Sequence, residues 1–243
     1  MNPNVRTALA ELNRAFYAEF AGDFARTRQS WPPGFSGILP HLALAFNVLD
    51  LGCGNGRLLR FLHEQDWRGR YLGVDSSPRL LAIAEETTSA LPGATAAFSL
   101  ADLLRPDWPA SLGDFRPDAV AALAVLHHIP GADARAAFVA AAADLLPPGG
   151  ALILSTWQFL SSPRLRRHIL PWTAASLAAT DVEQDDYLLS WGQGAAGQRY
   201  CAAIDEAALH RLAAVAGLKT AGAFYADGHE GNLNLYGIYH KAA

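Results

Sequence analysis

Apolar residues recur near the start of this chain at three- and four-residue steps: Leu9, Leu12, Phe16, Phe20 and Phe24. That spacing stacks them on one helical face and predicts a helix over about residues 5–27. Trp31-Pro32-Pro33-Gly34 ends it, because paired prolines cannot continue a helical ladder and glycine favours a turn. A short helix follows within 35–45. From Phe46 the pattern changes to short apolar runs alternating with amphipathic stretches, the arrangement of βαβ units on a parallel sheet. Strands are predicted at about 46–51, 70–75, 95–100, 118–124 and 150–156, with helices between them. The alanine-rich helix over 132–146 stops at Pro147-Pro148-Gly149-Gly150.

Residues 158–203 lose the alternation and are rich in Ser, Pro, Gly, Trp and Arg, which reads as an inserted lid. A helix over 205–216, ended by Gly217, and two strands over 219–225 and 232–240 close the chain. The expected fold class is α/β, a doubly wound, mostly parallel seven-stranded sheet. One domain is expected over 1–243, with an N-terminal helical cap at 1–45 and the lid at 158–203.

Composition narrows the function classes. Apolar residues make up 51% of the 243 and charged residues 17%, too apolar for disorder. The longest apolar run, 119–126, is far short of the roughly 20 residues a bilayer demands. The start Met1-Asn2-Pro3-Asn4 lacks the basic and apolar regions of a secretory signal, so a cytoplasmic protein is expected. The net charge of −4 gives no overall electrostatic footprint for nucleic acid. A local basic cluster, Pro163-Arg164-Leu165-Arg166-Arg167-His168, reads as a solvated face or as a contact for an anionic substrate. The two cysteines, Cys53 and Cys201, sit in no metal-ligand spacing, and no metal site is expected.

The strongest chemical signal is Val48-Leu49-Asp50-Leu51-Gly52-Cys53-Gly54-Asn55-Gly56-Arg57, an apolar strand running into a glycine-rich turn and a helix. Glycines let a backbone approach a ligand, and the helix start aims unpaired N–H groups at the turn. A dinucleotide fingerprint would place its third glycine where Arg57 stands. The glycines at 52, 54 and 56, preceded by Asp50, instead resemble the first motif of class I S-adenosylmethionine-dependent methyltransferases, a Rossmann-like family. The resemblance implies that the turn, with Cys53 and Asn55, faces the methionine part of the cofactor and that Asp50 holds its amino group. Asp75, ending the second predicted strand, with Ser76 beside it, would take the ribose hydroxyls; its other reading is the cap of the next helix, a role Ser76 and Ser77 fill better. Asp102 and Leu103 match the family's adenine step, the other reading being a plain loop. His127 and His128 are adjacent, so their rings are expected to diverge, which favours packing over catalysis or metal binding.

A narrower resemblance rests on Tyr17, Ala21, Phe24, Thr27, Arg28, Trp31 and Pro32, continuing through Trp157, Pro171-Trp172 and Arg199-Tyr200. This pattern is similar to the tRNA wobble-uridine carboxymethyl methyltransferases, although Cys201 stands where that family has histidine and Leu233 where tryptophan follows asparagine. It implies an acceptor carboxylate, on tRNA or a small molecule, and an activator protein as partner. Arg28, a planar fork of donors, suits a carboxylate of either cofactor or acceptor, and Tyr17 and Trp31 suit the sulfonium or a flat substrate; the other reading makes Tyr17 and Phe24 core, Trp31 a plug of the turn and Arg28 half of a surface ion pair. Trp31, Trp157, Arg199 and Tyr200 are the remaining acceptor-site candidates. A carboxylate needs no general base, and the motif positions offer none. The alternatives are methylation of an oxygen, nitrogen or carbon nucleophile in small-molecule metabolism, and a non-catalytic cofactor-binding subunit.

Overall fold

The computed structural model describes residues 1–26, 30–89, 91–93, 95–191 and 197–242. Its main sheet contains β1 (Asn47–Leu51), β2 (Arg70–Asp75), β3 (Thr95–Leu100), β4 (Ala119–Leu123) and β5 (Ala151–Trp157), all parallel. A smaller sheet holds β6 (Ile169–Leu170), β7 (Asp186–Trp191) and β8 (Gly197–Ala202), all antiparallel. The chain then returns to the main sheet as β9 (Leu218–Ala226) and β10 (Asn234–Lys241), giving the order β3-β2-β1-β4-β5-β10-β9 with β10 antiparallel to both neighbours.

The central strands are mostly apolar because helices cover both faces. Val48, Leu49, Val120, Ala121, Leu152 and Ile153 are all fully buried. On one face α5 (Ala132–Asp144) and α7 (Glu206–Val215) contribute Phe138, Val139 and Leu209 to the core. On the other, α2 (Gly34–Leu42) and α3 (Arg57–Glu64) contribute Ile38, Leu59 and Leu62. The α4 helix (Pro78–Thr88) is started by Ser77, whose side chain accepts from the Leu80 N–H at 3.3 Å, with Pro78 in its first turn. The cap reading of Ser77 therefore holds. Strand order reverses between β1 and β4, which opens a crevice at their carboxyl ends.

Among the described residues, the insert between β5 and α7 holds the short helix α6 (Pro163–Arg166) and the β6-β7-β8 sheet. The free edge of β8 lies against α1 (Pro3–Arg26), where one side chain replaces a strand. Asn13 Oδ1 accepts from the Tyr200 N–H at 2.8 Å, and its Nδ2 donates to the Tyr200 carbonyl at 3.3 Å and the His128 carbonyl at 3.2 Å. Arg135 of α5 ties down the other side, donating to the Ile129 carbonyl, the Tyr200 hydroxyl and Glu183. The Tyr200 hydroxyl in turn donates to buried Asp186 at 2.6 Å.

Candidate active site

One cavity of about 940 Å³ occupies the crevice, walled by the glycine turn, the carboxyl ends of β4 and β5, α1, the insert and the end of β10. Among the predicted residues, Tyr17, Asp50, Gly52, Cys53, Gly54 and Asn55 line it, as do Asp75, Ser76, Asp102, Leu103, Trp157 and Arg199. Gly56 lies behind them as the left-handed residue that starts α3. Arg28 lies outside the described residues.

Two predicted residues turn away. The indole N–H of Trp31 donates to Glu64 at 2.6 Å and its ring meets Phe61 and Arg60, so it packs on α3 rather than on the cavity. Tyr200 is fully buried with its hydroxyl in the Asp186–Arg135 network. In a strand, neighbours face opposite sides, so once Arg199 enters the cavity Tyr200 must leave it.

The glycine turn is shaped for close approach. Gly52 adopts φ +74°, and a Cβ there would stand 2.4 Å from Val125 Cγ2. Gly54 adopts φ +54°, and a Cβ there would meet nothing within 4 Å, leaving an open cradle facing the cavity. No side chain caps α3, so its first N–H groups stay available beside the turn. Asp75 braces the loop, accepting from the Gly54 N–H at 2.9 Å and the Ser77 N–H at 2.8 Å. Asp102 accepts from the Leu104 N–H at 3.0 Å.

Beneath the turn, Asp50 is buried and accepts from the Tyr71 hydroxyl at 2.5 Å. Burial raises its carboxyl to about 7; the Tyr71 bond opposes this and the neighbouring Asp75 charge adds to it. Burial likewise raises Asp75, against the opposing backbone bonds from Ser77, Gly54 and Ser76. A cradle with open backbone donors and two acids on one side suits a ligand carrying both a carboxylate and an ammonium, such as an adenosylated amino acid.

At the other end, Arg199 enters an aromatic box. Its guanidinium lies 4.5 Å from the Trp157 ring centroid, 5.0 Å from Trp191 and 5.4 Å from Phe16. The residue is 5% exposed, its Nε has no partner, and among the described residues its side chain makes no hydrogen bond or ion pair.

The two histidines do not diverge. A 3₁₀ turn at Leu126–His128 brings their ring centroids to 4.3 Å. His127 Nδ1 accepts from the Trp157 N–H at 3.2 Å, and burial, with His128 and Arg199 adding, pushes it well below the usual imidazole range, so it stays neutral. His128 Nδ1 faces the Tyr200 carbonyl at 3.2 Å, which can only accept; Nε2 therefore accepts from the Tyr17 hydroxyl at 2.8 Å. The donor atoms of His127, His128 and Cys201 fall within 4.8 Å of one another, a cluster no sequence spacing reveals. Both His128 nitrogens are engaged, and burial pushes the Cys201 thiol up to about 12, so the trio is a packed, hydrogen-bonded group near the Arg199 cation.

Sequence reasoning also missed Asp227, Asn234 and Tyr236, which line the cavity. Asp227 takes φ 68° and accepts from the Gly34 N–H, the Asn234 amide and the Tyr236 hydroxyl at 2.8, 2.7 and 2.6 Å. Its only sequence signal is Asp227-Gly228 in a hairpin.

A family model described as "Methyltransferase domain" matches residues 6–221. The trans-aconitate 2-methyltransferase of Methylobacterium nodulans is 35% identical over 179 residues, 70% of this chain and 61% of that protein. The tRNA (carboxymethyluridine(34)-5-O)-methyltransferase of Macaca fascicularis is 32% identical over 141 residues, 58% of this chain and 19% of that protein. This chain thus spans less than two thirds of either relative. Among solved structures, the magnesium protoporphyrin IX methyltransferase from Synechocystis PCC 6803 with bound S-adenosylhomocysteine superposes with a TM-score of 0.65 at 18% identity, covering 94% of this chain and 97% of that one, a likeness of fold. With the glycine cradle, its acids and the strand order in agreement, the chain belongs to the methyltransferase domain family, on the class I, S-adenosylmethionine-dependent fold.

Proposed function

We propose that the protein transfers the methyl group of S-adenosylmethionine to a carboxylate of a small organic acid, forming a methyl ester. The observation that carries this reading is Arg199, a buried cation in the cavity wall without an anion beside it. A buried charge is costly unless paired, and a guanidinium fork matches a carboxylate with two parallel bonds. The names of the two relatives also describe acceptors that carry carboxyl groups, aconitate and carboxymethyluridine.

The bound cofactor supplies a methyl group on a positive sulfur. Asp50 holds its ammonium, the cradle at Gly52–Gly54 passes its chain, Asp75 with Ser76 receives the ribose, and Asp102 with Leu103 flanks the adenine. Tyr17, fixed by His128, borders the methyl path. Arg199 holds the acceptor carboxylate in line, Trp157 and Trp191 keep water from that cation, and positioning does most of the work because the nucleophile is already ionised. A second reading keeps this chemistry on a carboxymethyluridine in tRNA, favoured by the Tyr17-to-Pro32 pattern.

Labelled cofactor, offered with a panel of small carboxylic acids and with carboxymethyluridine-bearing tRNA, tests the reading. Alkali should release the label as methanol from a small-acid product. Alkali-stable label would point to a nitrogen, carbon or ether-oxygen acceptor, and ester label on tRNA alone would favour the second reading.

Asp50 gives the site a pH dependence. An ionised Asp50 pairs with the cofactor ammonium, so affinity should fall as pH drops through about 7 and the carboxyl takes up its proton. The stability sign is opposite: a carboxyl raised in the folded state, against about 3.9 when unfolded, costs stability progressively as pH rises through that window. Asp50→Asn should melt higher than wild type at pH 8 yet bind S-adenosylhomocysteine weakly and without pH dependence. Calorimetry showing wild-type affinity flat between pH 6 and 8 would refute the Asp50 assignment.

A further inference from the structure

The acids lining the cavity, Asp50, Asp75, Asp102 and Asp227, belong to the main sheet and its loops, whereas the insert's wall carries none. The basic cluster at 163–168 is divided by its own geometry. Arg164 and Leu165 of α6, and His168 just past its end, line the cavity, while Arg166 and Arg167 do not. The Arg164 side chain is exposed and, among the described residues, makes no ion pair or hydrogen bond. His168 is fixed from behind, its carbonyl accepting from the Ser190 N–H at 2.8 Å and its Nδ1 lying 3.3 Å from Ser190 Oγ.

Strand register sets the separation from Arg199. Ile169 lies opposite Leu189, and Leu189 opposite Arg199, so the backbone at Ile169, the residue after His168, stands two strands, about 10 Å, from that of Arg199. Arg164 and His168 thus line the same cavity as Arg199, with backbones apart by a distance that a short carbon chain spans.

We propose that Arg164 and His168 form a second anion subsite and that the acceptor is a small acid with two anionic groups. The group at Arg199 receives the methyl; the one at Arg164 and His168 fixes the molecule's other end. The inference rests on the reading of Arg199 above and names the substrate class that it leaves open. Arg166 and Arg167, outside the cavity, take no part.

The test measures kcat and KM for dicarboxylates from succinate to pimelate against monocarboxylates of equal length, with binding of the same acids followed by calorimetry in the presence of S-adenosylhomocysteine. The wild type should prefer a diacid of one length by about tenfold or more in kcat/KM, the effect of one or two charge-assisted bonds. Arg164→Gln with His168→Gln should erase that preference, mainly by raising KM for the diacid. Arg166→Gln with Arg167→Gln should keep it. Equal use of mono- and diacids, or a preference that survives the Arg164/His168 change, overturns the second subsite while leaving Arg199 standing. Failure of any acid to bind or become methylated overturns the Arg199 reading itself, and label appearing only on tRNA overturns the small-acid assignment.

Discussion

Replacing Arg199 with alanine is expected to abolish ester formation while cofactor affinity stays near that of the wild type. Each charge-assisted hydrogen bond contributes about 1.5–3 kcal/mol, so losing a two-pronged grip should lower kcat/KM by on the order of 10² to 10⁴. Alanine also empties a box walled by Trp157, Trp191 and Phe16, which threatens the insert's packing. Arg199→Lys separates the two effects, because an ammonium keeps the charge and the ring contacts but loses the planar fork. It should melt like the wild type and still turn over poorly. Asp75→Ala should behave in the opposite way, weakening the cofactor first, since Asp75 braces Gly54 and faces the cavity. If Arg199→Lys loses cofactor affinity as severely as Asp75→Ala, Arg199 holds the cofactor's own carboxylate and its acceptor role is wrong.

The glycine turn gives the second large effect. Gly52→Ala forces a side chain into a left-handed conformation, costing about 1–2 kcal/mol, and drives it into Val125, costing a further 1–3 kcal/mol or so. A melting temperature lower by roughly 5–20 °C follows for a chain of this length. Val125→Ala should restore the part due to overlap and leave the part due to φ. Gly54→Ala separates stability from binding: its methyl meets nothing in the protein, so the melt should fall only by the conformational share. That methyl stands in the cavity, however, and S-adenosylhomocysteine should bind at least tenfold more weakly, as expected when a ligand is displaced by about a methyl's width. Unchanged affinity in Gly54→Ala would remove the cofactor from this turn.

The strands β1, β2, β4 and β5 are legible because burial on both faces writes them as mostly apolar runs, and the turn because glycines at 52, 54 and 56 have few other uses. Ser77 and Pro78 marked the start of α4 for the same local reason. What stayed hidden depends on contacts distant in sequence. Trp31 and Trp157 read alike as acceptor-site candidates, yet Glu64 draws one onto α3 and Arg199 draws the other into the cavity. Tyr200 was chosen with Arg199 although strand alternation separates them. Adjacent side chains diverge on a helix or an extended chain, and the 3₁₀ turn that carries His127 and His128 is neither. Asn13 did leave a trace: with Leu9 and Phe16 it falls at the buried spacing of α1, a polar residue inside an apolar stripe.

That asparagine has a consequence for solubility. The outer edge of a small antiparallel sheet offers unpaired N–H and C=O groups to any passing extended chain, and natural proteins cover or interrupt such edges. Here α1 lies along β8, and the Asn13 amide answers both backbone groups of Tyr200 as a neighbouring strand would. A helix that wraps the cofactor cleft thereby also withholds the insert from strand exchange between molecules, so loosening α1 would expose a template for aggregation at the same moment that it opened the site.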